Sequence, residues 1–297
     1  MKKINLKGTI TALVTPFNNN LEVDFKALKN IIDIQLAAGI NGIVVLGSTG
    51  EAATLTEKEK LDVILTVQEQ VNGKIPVIVG AGSNNTIATI ENVKKIEKYN
   101  FDAVLLVCPY YNKPTSAGIF EHFNAISEST DIPQIIYNVP GRTGTNISAE
   151  TQIKIAKKCK NVIATKEASG NLEQMMEIIK HTTTDDFTLL CGDDALAIPC
   201  ICAGGKGIIS VLSNYAPKMF TDCINLALKG RYNEAIKLHY NLFDFMQINF
   251  IESNPIPVKA IMSELGLIKN KLRLPLLPIT EKNKKIIKEL IINKKVN

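Results

Sequence analysis

No apolar stretch among the 297 residues is long enough to cross a bilayer as a helix. No long apolar run follows the opening Met-Lys-Lys-Ile-Asn-Leu-Lys-Gly, so no signal peptide is expected and a cytoplasmic location is. Histidine is scarce. His122, His181 and His239 lie far apart and form neither a His-x-His nor a His-Glu-x-x-His pair, so no histidine metal site is expected. The six cysteines are scattered, and only Cys200 and Cys202 are close, at a spacing that fits neither a zinc finger nor a thioredoxin motif. Buried free thiols in a reducing compartment are the expectation. A strong charge excess is also missing. There are 34 basic and 29 acidic side chains, a net charge of +5, which calls for neither nucleic acid nor a membrane surface. Finally, no Gly-x-Gly-x-x-Gly follows the first strand-like run; Thr15-Pro-Phe-Asn-Asn-Asn stands there instead, against a dinucleotide-binding open sheet.

What the chain does contain is an ordinary globular composition, 45% apolar and 21% charged, enough for one large domain or two medium ones. A single alternation runs through most of it. Strand-like runs are read at residues 10–14, 43–46, 76–79, 103–107, 133–137, 162–165, 187–190 and 207–211. Between them lie helical patterns with start signals. Asp24 precedes the apolar face Phe25, Leu28, Ile31, Ile32 and Leu36, Thr56 and Glu59 form a capping box, and Ser148 opens a later helix. The strands are continuous apolar runs, as when both faces of a parallel sheet are covered. Eight such units predict an α/β fold, a closed (β/α)8 TIM barrel, over residues 1–229.

From residue 230 the pattern is helical only, near 231–250, 257–265 and 280–292, and predicts a C-terminal helical extension over 230–297. The basic run from Glu281 to Lys295 has apolar residues at helical spacing and reads as the solvated face of an amphipathic helix rather than a nucleic-acid site.

In such a barrel, reacting groups sit at the carboxyl ends of the strands. Lys166 sits at the carboxyl end of the sixth predicted strand, followed by Glu167-Ala-Ser-Gly170. Burying an ammonium is costly and lowers a lysine's pKa, and the neutral amine is the form that attacks a carbonyl to make a Schiff base. An ion pair with Glu167 or another acid is the competing reading. Tyr137 ends the neighbouring strand, either as a core tyrosine or as a phenol acid/base beside Lys166. Gly47-Ser48-Thr49-Gly50-Glu51 is either a plain turn or a nest of N–H groups and hydroxyls suited to a carboxylate. Arg142, flanked by glycines, either lies on the surface or grips a substrate carboxylate with two hydrogen bonds. Tyr110 and Tyr111 read as interface aromatics, and Cys191-Gly192-Asp193-Asp194 follows strand seven. The two aspartates there would repel a phosphate. Gly204-Gly-Lys-Gly207 precedes strand eight and so reads as a tight turn, leaving a carboxylate substrate the better fit.

Taken together, Thr11-Ala-Leu-Val-Thr-Pro16, Gly47-Ser-Thr-Gly-Glu51, Pro109-Tyr-Tyr-Asn112, Tyr137-Asn-Val-Pro-Gly-Arg-Thr-Gly144, Lys166-Glu-Ala168, Gly192-Asp-Asp194, Gly207-Ile-Ile-Ser-Val211 and Asn254-Pro-Ile-Pro-Val-Lys259 resemble the dihydrodipicolinate synthase family over essentially the whole chain. That family sits among the pyruvate-dependent class I aldolases and lyases that include N-acetylneuraminate lyase. The resemblance implies that Lys166 forms a Schiff base with pyruvate. Tyr137, Thr49 and Tyr111 form a proton relay, with Tyr111 entering from a neighbouring subunit, and Ser48 keeps a hydroxyl where the family often has threonine. Thr49, the backbone at Ile209 and Gly192 contact substrate, and Arg142 binds the carboxylate of L-aspartate 4-semialdehyde. The product is the cyclic precursor of diaminopimelate and lysine. No metal or organic cofactor is implied, and the assembly is a homotetramer built from tight dimers, with a dimer as the alternative. Ala52, Lys60 and Ala88 replace polar or acidic groups of lysine-inhibited members, while Asn84 and Tyr110 match, so weak or absent lysine inhibition is expected. The alternatives are another pyruvate aldolase acting on a sugar acid and a non-catalytic carboxylate-binding barrel.

Overall fold

A computed structural model describes residues 4–183 and 186–294. Met1 to Lys3 of the opening segment and Lys295 of the terminal basic run lie outside the described residues. Eight strands, β1 (Gly8–Ala12), β2 (Gly42–Val45), β3 (Val77–Gly80), β4 (Ala103–Val107), β5 (Gln134–Asn138), β6 (Val162–Glu167), β7 (Thr188–Cys191) and β8 (Gly207–Ser210), follow one another in chain order around a closed barrel. The expected (β/α)8 architecture is therefore the observed one. Strand boundaries agree to within two residues. The sixth strand runs past Thr165 to Glu167, so Lys166 lies inside its ladder rather than just beyond it.

By packing, the chain divides into two compact units, Met1–Gly8 with Pro76–Ile209, and Thr9–Ile75 with Ser210–Asn297. In the first unit, β3 through β7 pair in parallel, with Val107 opposite Tyr137, Tyr137 opposite Lys166 and Lys166 opposite Leu190. The helices between them bury an apolar face against the sheet, for example Ile119, Phe123 and Ile126 of Ser116–Ser129 and Met175 and Ile178 of Leu172–Thr182. Each such side chain contributes about 1.5–3 kcal/mol by leaving water. Gly204 to Gly207 makes the expected tight turn. A Cβ at Gly207, whose φ is +155°, would collide with the carbonyl oxygen of Gly8.

In the second unit, β1 pairs with β2. Thr56 caps Glu57–Val71 through the reciprocal box with Glu59, and Asp24 caps Phe25–Ala37 by accepting from Ala27 N. Buried amides tie loops to strands: Asn214 donates to Ala12 O at 2.8 Å and accepts from Val14 N at 3.0 Å. The predicted C-terminal helices are present as Tyr232–Ile248, Ile256–Glu264 and Glu281–Asn293. In the last of these only Ile287 is buried and Ile292 is exposed, so its apolar face is narrower than its spacing implied.

Candidate active site

In the first unit the parallel register of β5 and β6 sets Tyr137 opposite Lys166 and Asn138 opposite Glu167. Side chains alternate faces along a strand, so Tyr137 and Lys166 share one face while Asn138 and Glu167 share the other. Glu167 meets Gln152 and Gln174, which belong to the covering helices. Lys166 and Tyr137 therefore point to the barrel interior. Both are nearly buried, at 6% and 7% exposure, and Lys166 Nζ stands 4.3 Å from the centre of the Tyr137 ring. Among the described residues Lys166 makes no ion pair, and the competing reading of a Lys166–Glu167 pair is not what the fold adopts.

Glu167 is instead held by neutral donors. Asn138 Nδ2 reaches its two oxygens at 3.1 and 3.0 Å, Gln152 Nε2 donates at 2.6 Å, Gln174 Nε2 at 3.0 Å, and the Ser169 amide at 2.8 Å. Gln152 also accepts from Thr165 Oγ1, which fastens the strand on both sides of Lys166.

The loops after these strands carry the remaining residues expected here. Gly192 N donates to Glu167 O at 2.8 Å, and a Cβ on Gly192 would come within 2.6 Å of the Ala168 Cβ, so the close approach requires glycine. Arg142 lies exposed in a one-turn helix, Pro140–Thr143, which the sequence pattern did not forecast. Tyr111 has φ 74° and a side chain 88% exposed. Its turn is braced by its own amide donating to Thr143 O, by Asn112 donating to Asn84 O, and by Asn84 donating to Tyr110 O. Ile209 is buried in β8.

In the second unit, β2 runs into a single 3-10 turn, Ser48–Gly50. Thr49 is buried and Ser48 exposed, so the two neighbouring hydroxyls expected there part company. Thr49 Oγ1 accepts from Asn254 Nδ2 at 2.8 Å, and Gly50 O accepts from Thr15 Oγ1 at 2.7 Å. Behind the turn, Glu51 adopts φ 52° and its carboxylate is paired with Lys259 Nζ at 2.5 Å, both side chains being fully buried. Lys259 also donates to Thr15 O and lies 4.2 Å from the Phe17 ring centre. Burial pulls Lys259 down to about 8, against the opposing pull of Glu51. Arg273 donates its backbone N–H to Glu51 and grips Glu59 with its guanidinium. That hydrogen bond holds the Glu59 carboxyl down at about 2.

Sequence reasoning assigned no role to Gln152, Gln174, Asn254 or Lys259. A signal existed for Lys259, a lone cation within the apolar run Ile256-Pro-Val-Lys-Ala-Ile-Met262 that is buried on every side. None existed for the two glutamines, whose importance depends on which way a strand residue faces.

A parallel eight-stranded barrel carries a lysine and a tyrosine side by side in its interior, an amine and a phenol suited to carbonyl chemistry. A model of the dihydrodipicolinate synthetase family matches residues 5–294, and the chain belongs to that family. It is 45% identical over 296 residues to a 4-hydroxy-tetrahydrodipicolinate synthase of Phocaeicola vulgatus, covering 98% of this chain and 99% of the relative. The crystal structure of dihydrodipicolinate synthase from Thermotoga maritima superposes with a TM-score of 0.95 at 41% identity, covering 98% and 99% of the two chains. The pyruvate complex of a dihydrodipicolinate synthase from Acinetobacter baumannii also gives a TM-score of 0.95, at 36% identity and covering 99% and 100%. Among the described residues no helix is long and apolar enough to cross a membrane.

Proposed function

We propose that the chain condenses pyruvate with L-aspartate 4-semialdehyde to give 4-hydroxy-tetrahydrodipicolinate, the lyase step of diaminopimelate and lysine formation. The observation that carries this reading is the register pair Tyr137–Lys166, with the amine 4.3 Å from the phenol ring. The Lys166 amine attacks the pyruvate carbonyl, water leaves, and an iminium remains. The iminium is the electron sink: a methyl proton departs, and the resulting enamine carbon attacks the aldehyde. The semialdehyde's amino group then displaces the lysine amine at the imine carbon, which closes the ring and frees Lys166. The imine supplies its own electron withdrawal, so the step calls on no metal and no organic cofactor.

Tyr137, its ring centre 4.3 Å from Lys166 Nζ, is the proposed proton carrier, and Thr49 offers a buried hydroxyl whose oxygen already accepts from Asn254. That acceptance leaves the threonine's own proton to be donated, as a relay requires. Ser48, Ile209 and Gly192 keep the lesser substrate contacts that the family resemblance gives them. Arg142 takes the carboxylate of the semialdehyde. Tyr111 completes the relay of a neighbouring subunit in a tetramer made of two tight dimers, and its 88% exposed side chain on a braced turn supports that reading. The barrel of residues 1–229 is the catalytic part and 230–297 the helical extension, in a cytoplasmic enzyme. Lysine inhibits weakly or not at all, given Ala52, Lys60 and Ala88; a rate halved by sub-millimolar lysine contradicts this.

The test is a coupled assay with pyruvate and L-aspartate 4-semialdehyde. Wild-type chain turns over and Lys166→Ala does not. Turnover by Lys166→Ala at the wild-type rate overturns the assignment, and Arg142→Ala is expected to weaken apparent affinity for the semialdehyde alone.

A further inference from the structure

We propose that Glu167 is a positioning residue for the imine, fixing β6 beneath Tyr137 and supplying an unneutralised negative charge behind Lys166. The inference rests on the reading that Lys166 forms the imine. Four observations meet at this carboxylate. It is wholly buried, it is adjacent in chain to the reacting lysine, it accepts only from neutral N–H groups, and it has no cationic partner among the described residues.

The arrangement is chemically specific. A buried carboxylate needs donors, and the usual remedy is a lysine or arginine. A cation placed there would sit across one strand from Lys166 and disfavour the iminium. Neutral amides satisfy the oxygens and leave the charge in place, where it favours the positively charged states of the lysine nitrogen through a poorly screening interior. The same bonds have a mechanical effect. Asn138 ties β5 to β6 one residue beyond the Tyr137–Lys166 pair, and Gln152 and Gln174 tie β6 to the helices Ala149–Lys158 and Leu172–Thr182.

Other titratable groups on the surrounding elements do not duplicate the effect. Tyr137 on β5 shares the face of Lys166. Cys191, opposite Glu167 on β7, is a fully buried thiol pushed up by hydrogen bonding with Cys200 and by burial, and so stays neutral. The charged residues of the two helices all occupy exposed positions, and the side chains these helices turn toward Glu167 are Gln152 and Gln174.

The experiment is the pH dependence of borohydride-trapped imine formation with pyruvate, with folding checked by circular dichroism. In Glu167→Gln the acidic limb, which reports the free amine, moves to lower pH by roughly half a unit to one unit, because the anion that favoured the ammonium is gone. Glu167→Asp keeps the charge and restores the limb to its wild-type position even where stability is lost. Gln174→Lys neutralises the carboxylate from the helix side and moves the limb the same way by a smaller amount, so the proposal stays open to test if Glu167→Gln does not fold. A purely structural role lowers the melting temperature without moving the limb. Folded Glu167→Gln, or folded Gln174→Lys should Glu167→Gln not fold, with a profile superimposed on wild type overturns the inference. Failure of the wild-type chain to trap pyruvate instead overturns the underlying functional reading.

Discussion

Glu51 and Glu167 are both buried carboxylates, and each directly follows residues assigned to the chemistry, yet they are satisfied in opposite ways. Glu51 has a buried cation, Lys259, and a backbone N–H from Arg273. Glu167 has three side-chain amides and one backbone amide. The difference follows from what stands in front. The Ser48–Gly50 turn offers hydroxyls and N–H groups that must be held in place, and the Glu51–Lys259 ion pair behind it locks the turn. In the proposed reaction Lys166 passes between charged and uncharged states, and a second cation behind it would disfavour the iminium. On the proposed reading, an ion pair locks the hydroxyl turn, while neutral hydrogen bonds stand behind the lysine whose charge changes during the reaction.

The largest effect expected from breaking this contrast is in the ion pair. Lys259→Met leaves Glu51 buried without its cation and should lower stability by about 3–5 kcal/mol in urea unfolding. The double variant Glu51→Gln, Lys259→Met should lose less than Lys259→Met alone, because the uncompensated charge is removed with its partner. A loss below about 1 kcal/mol for Lys259→Met would mean that water or relaxation already screens Glu51.

Next comes Arg273→Ala. It removes the two-pronged grip on Glu59 and bonds to the carbonyls of Leu21 and Thr54, a loss on the order of 2–3 kcal/mol. It also changes the response to acid. The Glu59 carboxyl is held at about 2 in the fold against an ordinary 4.5. The unfolded chain therefore binds the proton first, and this contribution is complete above about 4.5 and fades as pH falls toward 2. Thermal melts of Arg273→Ala and wild type should converge across that window, and a constant gap between them would show that Glu59 does not carry the effect.

The smallest expected change sharpens the other side of the comparison. Gln152→Met deletes the 2.6 Å donor to Glu167 and the acceptor of Thr165. The remaining donors still hold the carboxylate, so about 1–2 kcal/mol should be lost, less than for Lys259→Met. If Gln152→Met costs as much as Lys259→Met, the amides act as one cooperative unit rather than as separate bonds.

These contrasts also mark what was legible before any coordinates. The alternation of apolar strands with capped helices settled the barrel, because strand continuity and cap chemistry are local signals. Lys166 and Tyr137 were found for the same reason: each sits near the end of an apolar run. Facing is not local in that sense. Placing the end of β6 two residues early put Lys166 beyond the ladder. Once the ladder is seen to run through Glu167, alternation sends that carboxylate to the helix side and makes an ion pair with Lys166 geometrically unavailable. Asn254 and Lys259 were present in a quoted motif without a role. Their partners, Thr49 and Glu51, lie more than 200 residues away in sequence, a separation that no periodicity reports.

The central claim is that Lys166 is the nitrogen that captures pyruvate. The most direct measurement is peptide mass analysis after borohydride treatment in the presence of pyruvate. A single carboxyethyl group on the peptide containing Lys166, absent from Lys166→Ala, is the predicted result. An unmodified Lys166, or the group found on another lysine, would contradict the account and leave a barrel that binds carboxylates without reacting with them or reacts through a different residue.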